Sequence, residues 1–248
     1  MQNLHMLKID DLIRLYIRNW TYCWEQSERR TTIGHYGQTN PVDYGFIMGG
    51  RRYEFFIWGK YIKKDILNTL QQYKEPFYIS YFSDNPIPEA IIKDYYFIAI
   101  DYLMTANLAD LHIGKPTSNL IHRIRTERKA HDVNLKLFYI SKSERLKMIK
   151  PDRLADPHLR FYYLETNDGA IAASGSYSLI DELVLLDNIY TKPKYRRNGF
   201  AEILCRKMLF DAKKEGAKQS IIASSEQGRS LYKRLGYKDV QKIYIYSS

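Results

Sequence analysis

The segment YTKPKYRRNGFA, residues 190–201, joins two elements that the apolar pattern predicts. It follows an apolar run over 182–191 that predicts a buried strand, and it precedes apolar residues at helical spacing over 200–215 that predict a helix. Gly199 stands at the start of that helix, where the first backbone N–H groups have no partner within the helix. Such a junction attracts anions through its N–H groups and the helix dipole, by about 0.3–1 kcal/mol per charge when exposed.

Basic residues strengthen this interpretation of the junction. Gly199 lets the backbone approach an anion closely, and Arg196 and Arg197 can donate charge-assisted hydrogen bonds to a phosphate. The same pattern also fits a basic loop that only precedes an ordinary helix. The stretch by itself therefore leaves both interpretations open.

A second stretch, SSEQGRSLYKRLGY at residues 224–237, lies one predicted helix and one predicted strand further along the chain. Its last part resembles the Leu-Tyr-x-x-x-Gly-Phe/Tyr phrase of the GNAT family of N-acetyltransferases. The pattern Arg196-x-x-Gly199-x-Ala201 likewise resembles that family's pyrophosphate signature, Arg/Gln-x-x-Gly-x-Gly/Ala. Both phrases stand at the right distance from each other, and the resemblance covers about 130 residues from Leu120 onward.

Two positions depart from the family pattern. Ser225 stands where the family commonly has an asparagine that touches the cofactor, so it can supply only a hydroxyl. Gly228 stands where the family usually has a helix-favouring alanine. A glycine lowers helix stability by about 1 kcal/mol in a helix interior, but by less near the first turn, where it also leaves room for a ligand.

The resemblance implies an α/β (α+β) fold in which helices flank a mixed, mostly antiparallel central sheet. It also implies that the protein is an N-acetyltransferase with acetyl-CoA as acyl donor, in which a primary amine attacks the thioester directly within a ternary complex. By the same resemblance, the residues expected to contact the cofactor are Ile189, Tyr190, Thr191, Arg196, Arg197, Asn198, Gly199, Phe200, Ala201, Ser225 and Arg229.

Tyr232 is the predicted hydrogen-bond donor to the leaving thiolate, because it occupies the tyrosine of the family phrase. Full proton transfer from a phenol of pKa about 10 to a thiolate whose thiol has pKa about 8.5 is uphill by roughly 2 kcal/mol. We therefore expect a donor rather than a complete acid. A chain with 22 tyrosines offers a packing role as the alternative.

The base is harder to assign from sequence. A lysine-like amine of pKa about 10.4 costs roughly 4–5 kcal/mol to deprotonate at pH 7, so a base is needed. Asp187 is the candidate, expected on the same strand face as Ile189 and Thr191, with Glu182 as a weaker one. Burial would have to raise the pKa of Asp187, and a structural hydrogen bond is the alternative role.

Two segments are predicted, with a boundary at the polar stretch 114–119. Residues 118–248 are interpreted as the acetyltransferase domain, and 1–112 as an α/β segment on the acceptor side. The strand-helix-strand pattern over 77–108 resembles the end of a GNAT domain, without a phosphate signature before it. The N-terminal segment is therefore interpreted as a degenerate GNAT-like half, with an unrelated α/β extension as the alternative.

The formal net charge of +10 admits nucleic acid, anionic lipid or a phosphorylated cofactor as partner. The basic residues are dispersed in pairs without a long run, which argues against nucleic acid. The two cysteines and six histidines match no metal-binding spacing, so no metal is expected. Two cysteines also cannot form a disulfide framework, so we expect a reducing, cytoplasmic location. No membrane partner is expected, because the longest apolar run is too short to span a bilayer.

The acceptor is expected to be a small-molecule or peptide amine, and the oligomeric state is open, with a homodimer as one option. Two other functions remain as alternatives: a non-catalytic acyl-CoA-binding regulator and a basic nucleic-acid-binding protein. Periodicity and turn residues predict the local structure. The predicted helices are 9–30, 60–73, a short one from 86 to 94, one through Ala130, Val133 and Leu137, 200–215 and 226–235. The predicted strands include 53–58, 77–82, 95–104, 160–165, 170–179, 182–191, 219–223 and 242–246, and residues 135–140 fit either a helix or a strand.

Overall fold

The computed structural model describes residues 7–24, 31–33, 36–38, 53–59, 68, 70–72, 74, 77–111, 113–114, 119–140 and 148–248. The helices are α1 (Ile9–Trp24), α2 (Glu89–Ile92), α3 (Glu127–Phe138), α4 (Phe200–Lys214) and α5 (Glu226–Leu235). The strands are β1 (Thr31–Ile33), β2 (Tyr36–Gln38), β3 (Tyr53–Trp58), β4 (Phe77–Phe82), β5 (Tyr96–Asn107), β6 (Ile121–Arg123), β7 (Leu159–Glu165), β8 (Ile171–Ile180), β9 (Leu183–Thr191), β10 (Gln219–Ser225) and β11 (Lys238–Ser247).

Within these described ranges the strands form a single mixed sheet in the order β1-β2-β3-β4-β11-β5-β10-β9-β8-β7-β6. Its neighbours are antiparallel except for two parallel pairs, β3 with β4 and β9 with β10. The fold class predicted from sequence, a mostly antiparallel mixed sheet flanked by helices, is confirmed.

Helices cover both faces of this sheet. Helices α1 and α3 bury residues such as Ile13 and Val133 with Leu185 and Leu103 on one side, here called the α1–α3 face. Helices α4 and α5 bury a second cluster on the opposite side, the α4–α5 face, where Met208 is fully buried. Burying such a side chain contributes about 1.5–3 kcal/mol, so these two layers fix the sheet between the helices.

Strand β5 joins the two predicted segments. It belongs to the N-terminal segment, yet it lies between β10 and β11 of the C-terminal segment and pairs antiparallel with both. On each side of the β5–β11 pair the sheet repeats one pattern, an antiparallel neighbour followed by a parallel pair. The division at 112–118 and the degenerate GNAT-like half stay predictions, and this repetition supports the second.

Several predicted elements differ in detail from the structure. Helix α1 ends at Trp24, and residues 25–30 of the predicted helix lie outside the described residues, as does most of the predicted helix 60–73. The open choice at 135–140 falls to a helix that ends at Phe138, because Tyr139 adopts a left-handed conformation with φ 61°. Strand β11 begins four residues before its predicted start at 242, because a bulge lets it keep pairing with β5.

Candidate functional site

The two parallel strands β9 and β10 part from each other. They pair over three positions only, from Gln219 opposite Leu183 to Ile221 opposite Leu185. Beyond that point residues 186–191 and 222–225 form two walls of a cleft of about 580 Å³. The parting leaves main-chain groups of β9 directed at the cleft instead of at a neighbouring strand.

A β-bulge in β9 bends that strand away. Asn188 has φ 53°, and the register against β8 shifts so that Ser176 faces Asp187 while Ser174 faces Tyr190. One extra residue therefore lies on β9, and the side-chain alternation reverses there. The expectation that Asp187 shares a face with Ile189 and Thr191 is wrong for this reason.

The reversal separates the side chains between the two cores. Asp187 lies on the α1–α3 face, together with Leu185 and Tyr190. Ile189 packs on the α4–α5 face, where a Cβ added to Gly175 would come within 2.7 Å of its Cδ1 atom. A side chain at 175 would therefore require the ends of the Ile189 and Met208 side chains to shift.

Main-chain N–H groups of β9 point into the cleft. Lys192 donates its N–H to the carbonyl of Ala172 on β8 at 2.9 Å. Because successive N–H groups of a strand point to opposite edges, that of Thr191 points toward the cleft. The hydroxyl of Thr191 is also buried, and within the part of the chain that the structure describes it has no hydrogen-bond partner. Both groups can donate to a bound ligand.

The start of helix α4 forms the far end of the cleft. Gly199 is the N-cap residue with φ 75°, and no side chain caps the helix. The first-turn residues Phe200, Ala201 and Glu202 line the cleft together with Gly199. A Cβ on Gly199 would meet nothing within 4 Å, so its left-handed backbone, rather than lack of space, favours glycine. The start of the helix, where the sequence predicts an anion site, thus has uncapped N–H groups beside a cleft.

The loop before α4 is held by its own side chains. Arg196 donates from Nε to the carbonyl of Thr191 at 3.1 Å, and Asn198 donates to the carbonyls of Tyr195 and Arg196, both at 3.2 Å. Arg196 and Arg197 are exposed and line the cleft, whereas Asn198 does not. The side chain of Asn198 therefore braces the loop, and the two arginines are the ones available to a ligand.

Helix α5 begins at the other wall. Ser225 is its N-cap and accepts a hydrogen bond from the N–H of Gly228 at 3.3 Å, while still lining the cleft. A Cβ at Gly228 would lie 3.1 Å from Ser224 Oγ and 3.3 Å from a ring carbon of Tyr232. The departure from alanine at 228 is thus explained by crowding against Tyr232, in addition to the room it leaves at the cleft.

Tyr232 lines the cleft from α5, and only 5% of its surface is exposed. Its ring packs edge-on against Tyr237 at 5.7 Å between centroids, and its hydroxyl interacts with the thiol of Cys205. Burial, and then the neighbouring Cys205, raise the pKa of Tyr232 well above its usual value. The phenol therefore stays protonated, and its role as hydrogen-bond donor to a leaving thiolate stays a prediction.

The structure does not bring Arg229 to the cleft. Its guanidinium makes two hydrogen bonds to Asp239, at 3.0 and 2.8 Å, and lies over the ring of Tyr102 at 3.9 Å. A bidentate pair of this kind fixes the side chain in a set direction. The contact predicted between Arg229 and the cofactor has no support in this geometry.

Asp187 lies among polar groups. Its carboxylate accepts a hydrogen bond from Asn188 Nδ2 at 3.1 Å, and its carbonyl accepts one from Ser176 Oγ at 3.1 Å. Lys150, which donates to the carbonyl of Cys23, is close enough to feel the charge of Asp187. Burial lowers the pKa of Lys150 to about 8. The carboxylate of Asp187 is thus already engaged by a neighbouring side-chain amide.

Sequence reasoning missed three charged residues of the cleft. Asp101 comes from β5, and Glu202 forms ion pairs with Arg206 at 3.0 Å and with Arg234 at 3.5 Å. Asp101 had one signal in the sequence, a single acid that interrupts the apolar strand after residue 100. Arg234 lies two residues after Tyr232 and had no signal of its own.

The described residues hold no cluster of three or more His, Cys, Asp or Glu residues placed to bind a metal ion. In the same part of the chain, no helix has the length and apolar character needed to cross a membrane.

Comparison with known proteins places this site in a family. Residues 126–237, which include β9, the loop, α4, β10 and α5, match the model of the acetyltransferase (GNAT) family. The chain carries a GNAT acetyltransferase domain. A comparison with curated protein sequences finds no match.

Solved structures share the fold over nearly the whole chain. A GCN5-related N-acetyltransferase of Kribbella flavida has a TM-score of 0.64 at 12% identity, over 96% of this chain and 95% of that one. A functionally unknown conserved protein of Staphylococcus epidermidis has a TM-score of 0.62 at 10% identity, over 99% of both chains. A GCN5-related N-acetyltransferase-like protein of Streptococcus suis has a TM-score of 0.57 at 12% identity, over 97% of this chain and 99% of that one. At these identities the likeness concerns the fold, and it includes the N-terminal part of this chain.

Proposed function

We propose that this GNAT protein is an acetyl-CoA-dependent N-acetyltransferase that acetylates a primary amine by direct attack in a ternary complex. One observation carries the proposal: a single cleft joins the parted strands, the uncapped N-terminus of α4 and the phenol of Tyr232. An anion site, main-chain donors and a protonated phenol along one cleft are what a phosphorylated thioester needs.

The residues fit a diphosphate at the α4 end. The N–H groups of Gly199, Phe200 and Ala201 would hold it, because no side chain caps them and they face the cleft. Arg196 and Arg197 would add charge-assisted hydrogen bonds. When bound, coenzyme A would supply an acetyl group activated as a thioester.

The thioester fits the opening between β9 and β10. The N–H of Thr191 points into that opening, and its buried hydroxyl has no partner among the described residues, so both would be satisfied by a bound acyl chain. A main-chain N–H aimed at the thioester oxygen would stabilise the negative charge that develops there during attack. The N–H of Ile189 is the second donor of this proposal.

Tyr232 would stabilise the departing thiolate. Its raised pKa makes full proton transfer to sulfur unfavourable, so its part is to donate a hydrogen bond as the C–S bond breaks. Asp187 lines the same cleft on the other face of the sheet and is the carboxylate that the sequence suggested for the acceptor amine.

The test combines binding and turnover. Calorimetry with coenzyme A measures the affinity, and a thiol-release assay with acetyl-CoA measures transfer to a panel of primary amines. The panel contains an alkylamine, an arylalkylamine, a polyamine, an aminoglycoside and a peptide with a free N-terminus. We expect micromolar-range binding and thiol release with at least one of these amines.

Gly199→Asp is the decisive variant, because it puts a negative side chain at the anion site. We expect it to weaken coenzyme A binding by at least about a hundredfold, roughly 2.7 kcal/mol. Gly169→Asp is the matched control, since Gly169 has φ 79°, has nothing within 4 Å of an added Cβ, and lies in the β7–β8 turn.

Three outcomes separate the proposed function from its alternatives. Absence of heat with coenzyme A overturns the proposal. Binding without thiol release from any amine favours a non-catalytic acyl-CoA-binding regulator. Steeply salt-dependent binding to nucleic acid without coenzyme A binding favours the basic nucleic-acid-binding alternative.

A further inference from the structure

Asp101 is the one charged group that the N-terminal segment contributes to the cleft among the described residues. Its strand, β5, is inserted between β10 and β11, so that Asp101 lies opposite Ser225 on one side and Ile243 on the other. The inserted strand thereby places a carboxylate on the same cleft as Asp187 and Tyr232.

The face of the sheet shows which reactant Asp101 would meet. Leu103 belongs to the core on the α1–α3 face, so Asp101, two residues before it, is on that face, as is Asp187. Tyr232 and the start of α4 belong to the opposite face. The opening between β9 and β10 therefore has its anion site on one face and two carboxylates on the other, which makes the α1–α3 face the side from which a cationic amine would approach.

The surroundings of Asp101 differ from those of Asp187. The side chain of Asp101 is partly buried, and the described residues give it neither a hydrogen bond nor an ion pair. Its ionisable neighbour is Glu54 of β3, a buried residue whose carboxylate accepts a hydrogen bond from Ser80 at 2.7 Å. A like charge and burial both favour the protonated form of a carboxyl group.

We propose that Asp101 is the general base that removes the proton from the acceptor ammonium, and this inference rests on the proposed acetyl transfer. One N–H bond of the ammonium breaks, and its proton goes to a carboxylate oxygen of Asp101. The neutral amine then uses its lone pair to form the C–N bond as the C–S bond breaks, and the second proton lost by nitrogen goes to the thiolate. Asp101 returns its proton to solvent.

The protonation behaviour of Asp101 suits this role. Burial, and then the charge of Glu54, raise the pKa of Asp101 to about 6. A carboxylate with that pKa binds a proton roughly a hundred times more tightly than one near 3.9. The carboxylate of Asp187, in contrast, is already engaged by the Asn188 amide at 3.1 Å.

The pH dependence of kcat/KM would reflect Asp101 together with the titratable groups that face it. Strand β3 brings Glu54, and across the cleft β9 brings Asp187 and α5 brings Tyr232. The residues directly opposite on β10 and β11, Ser225 and Ile243, do not titrate near neutral pH. The wild-type kcat/KM should therefore fall as the pH drops through about 6, where Asp101 becomes protonated.

The test compares Asp101→Asn with the wild type on two nucleophiles, with acetyl-CoA as donor. The first is the fastest primary amine of the panel, which is an ammonium at pH 7, and the second is hydroxylamine, which is mostly neutral there. A base is needed only for the first. We expect kcat/KM to fall about a hundredfold with the amine and less than about threefold with hydroxylamine.

Asp94→Asn is the matched control, an exposed aspartate two residues before β5 that does not line the cleft. It should leave both rates unchanged, and calorimetry should show unchanged coenzyme A binding by Asp101→Asn. Equal loss with both nucleophiles, or no loss with the amine, overturns the assignment of Asp101 while leaving the transferase standing. A wild-type protein that releases no thiol overturns both.

Discussion

The sheet contains two parallel strand pairs, and they differ in how far their strands stay hydrogen-bonded to each other. The β3–β4 pair is in register over all six positions, from Tyr53 opposite Phe77 to Trp58 opposite Phe82. The β9–β10 pair parts after three positions. The closed pair buries its apolar side chains, among them Phe55 and Ile79, and leaves no opening, whereas the parted pair exposes main-chain donors along a cleft.

The difference shows that a parallel strand pair does not by itself make a cleft. The bulge at Asn188 lies on the parted pair and the glycine start of α4 follows it, and both leave main-chain N–H groups facing the cleft. The closed pair has no such opening, but the charge of its Glu54 contributes to the raised pKa of Asp101 at the cleft of the other pair.

A large effect is expected from Tyr232→Phe, which removes the phenol hydroxyl at the cleft beside the parted pair. Turnover should fall at least about tenfold, because the thiolate loses its hydrogen bond, while coenzyme A affinity should change little. Steady-state kinetics with the fastest panel amine and calorimetry measure the two quantities. An unchanged turnover would remove Tyr232 from the mechanism.

Tyr237→Phe is the control for that variant. Tyr237 is buried beside Tyr232, and its hydroxyl is hydrogen-bonded to Ser220 at 2.6 Å, but it does not line the cleft. Its loss should lower the free energy of unfolding by about 1 kcal/mol, with turnover retained. Equal effects of the two variants would indicate that both tyrosines serve packing alone.

A smaller effect is expected from Asn188→Val, which acts on the bulge that parts β9 from β10. A β-branched residue at φ 53° costs about 1–3 kcal/mol, so the bulge should shift, and coenzyme A affinity should fall by about tenfold. Asn188→Gly accepts the same backbone without strain and should bind nearly as well as the wild type. Calorimetry and thermal unfolding of both variants measure this, and identical affinities would separate the bulge from the cleft.

Parts of this contrast could be predicted from sequence, and parts could not. The strand, loop and helix around Gly199 follow local rules, since turn residues, helix periodicity and uncapped N–H groups all lie within a short stretch. The bulge at Asn188 reverses an alternation that the apolar pattern of β9 does not reveal, so Asp187 was predicted on the wrong face.

The positions of Asp101 and Arg229 were not predicted, because both depend on strands that are distant in the sequence. Asp101 reaches the cleft only because β5 pairs with β10, whose residues lie more than a hundred positions later in the chain. Arg229 is drawn from the cleft by Asp239, which belongs to β11 and was not part of the predicted final strand. Pairings of this kind are set by the whole sheet and carry no local signal.

The smallest effect is expected from Glu54→Gln, which tests whether the closed pair influences the parted one. The charge of Glu54 is the second cause, after burial, of the raised pKa of Asp101. Its removal should lower that pKa, so the acid limb of the kcat/KM profile should move to lower pH by less than about one unit. Glu89→Gln, an exposed change on α2, should leave the limb in place. A limb that moves to higher pH in Glu54→Gln would mean that Glu54 supports the ionised form of Asp101, and the two strand pairs would then cooperate in the opposite sense.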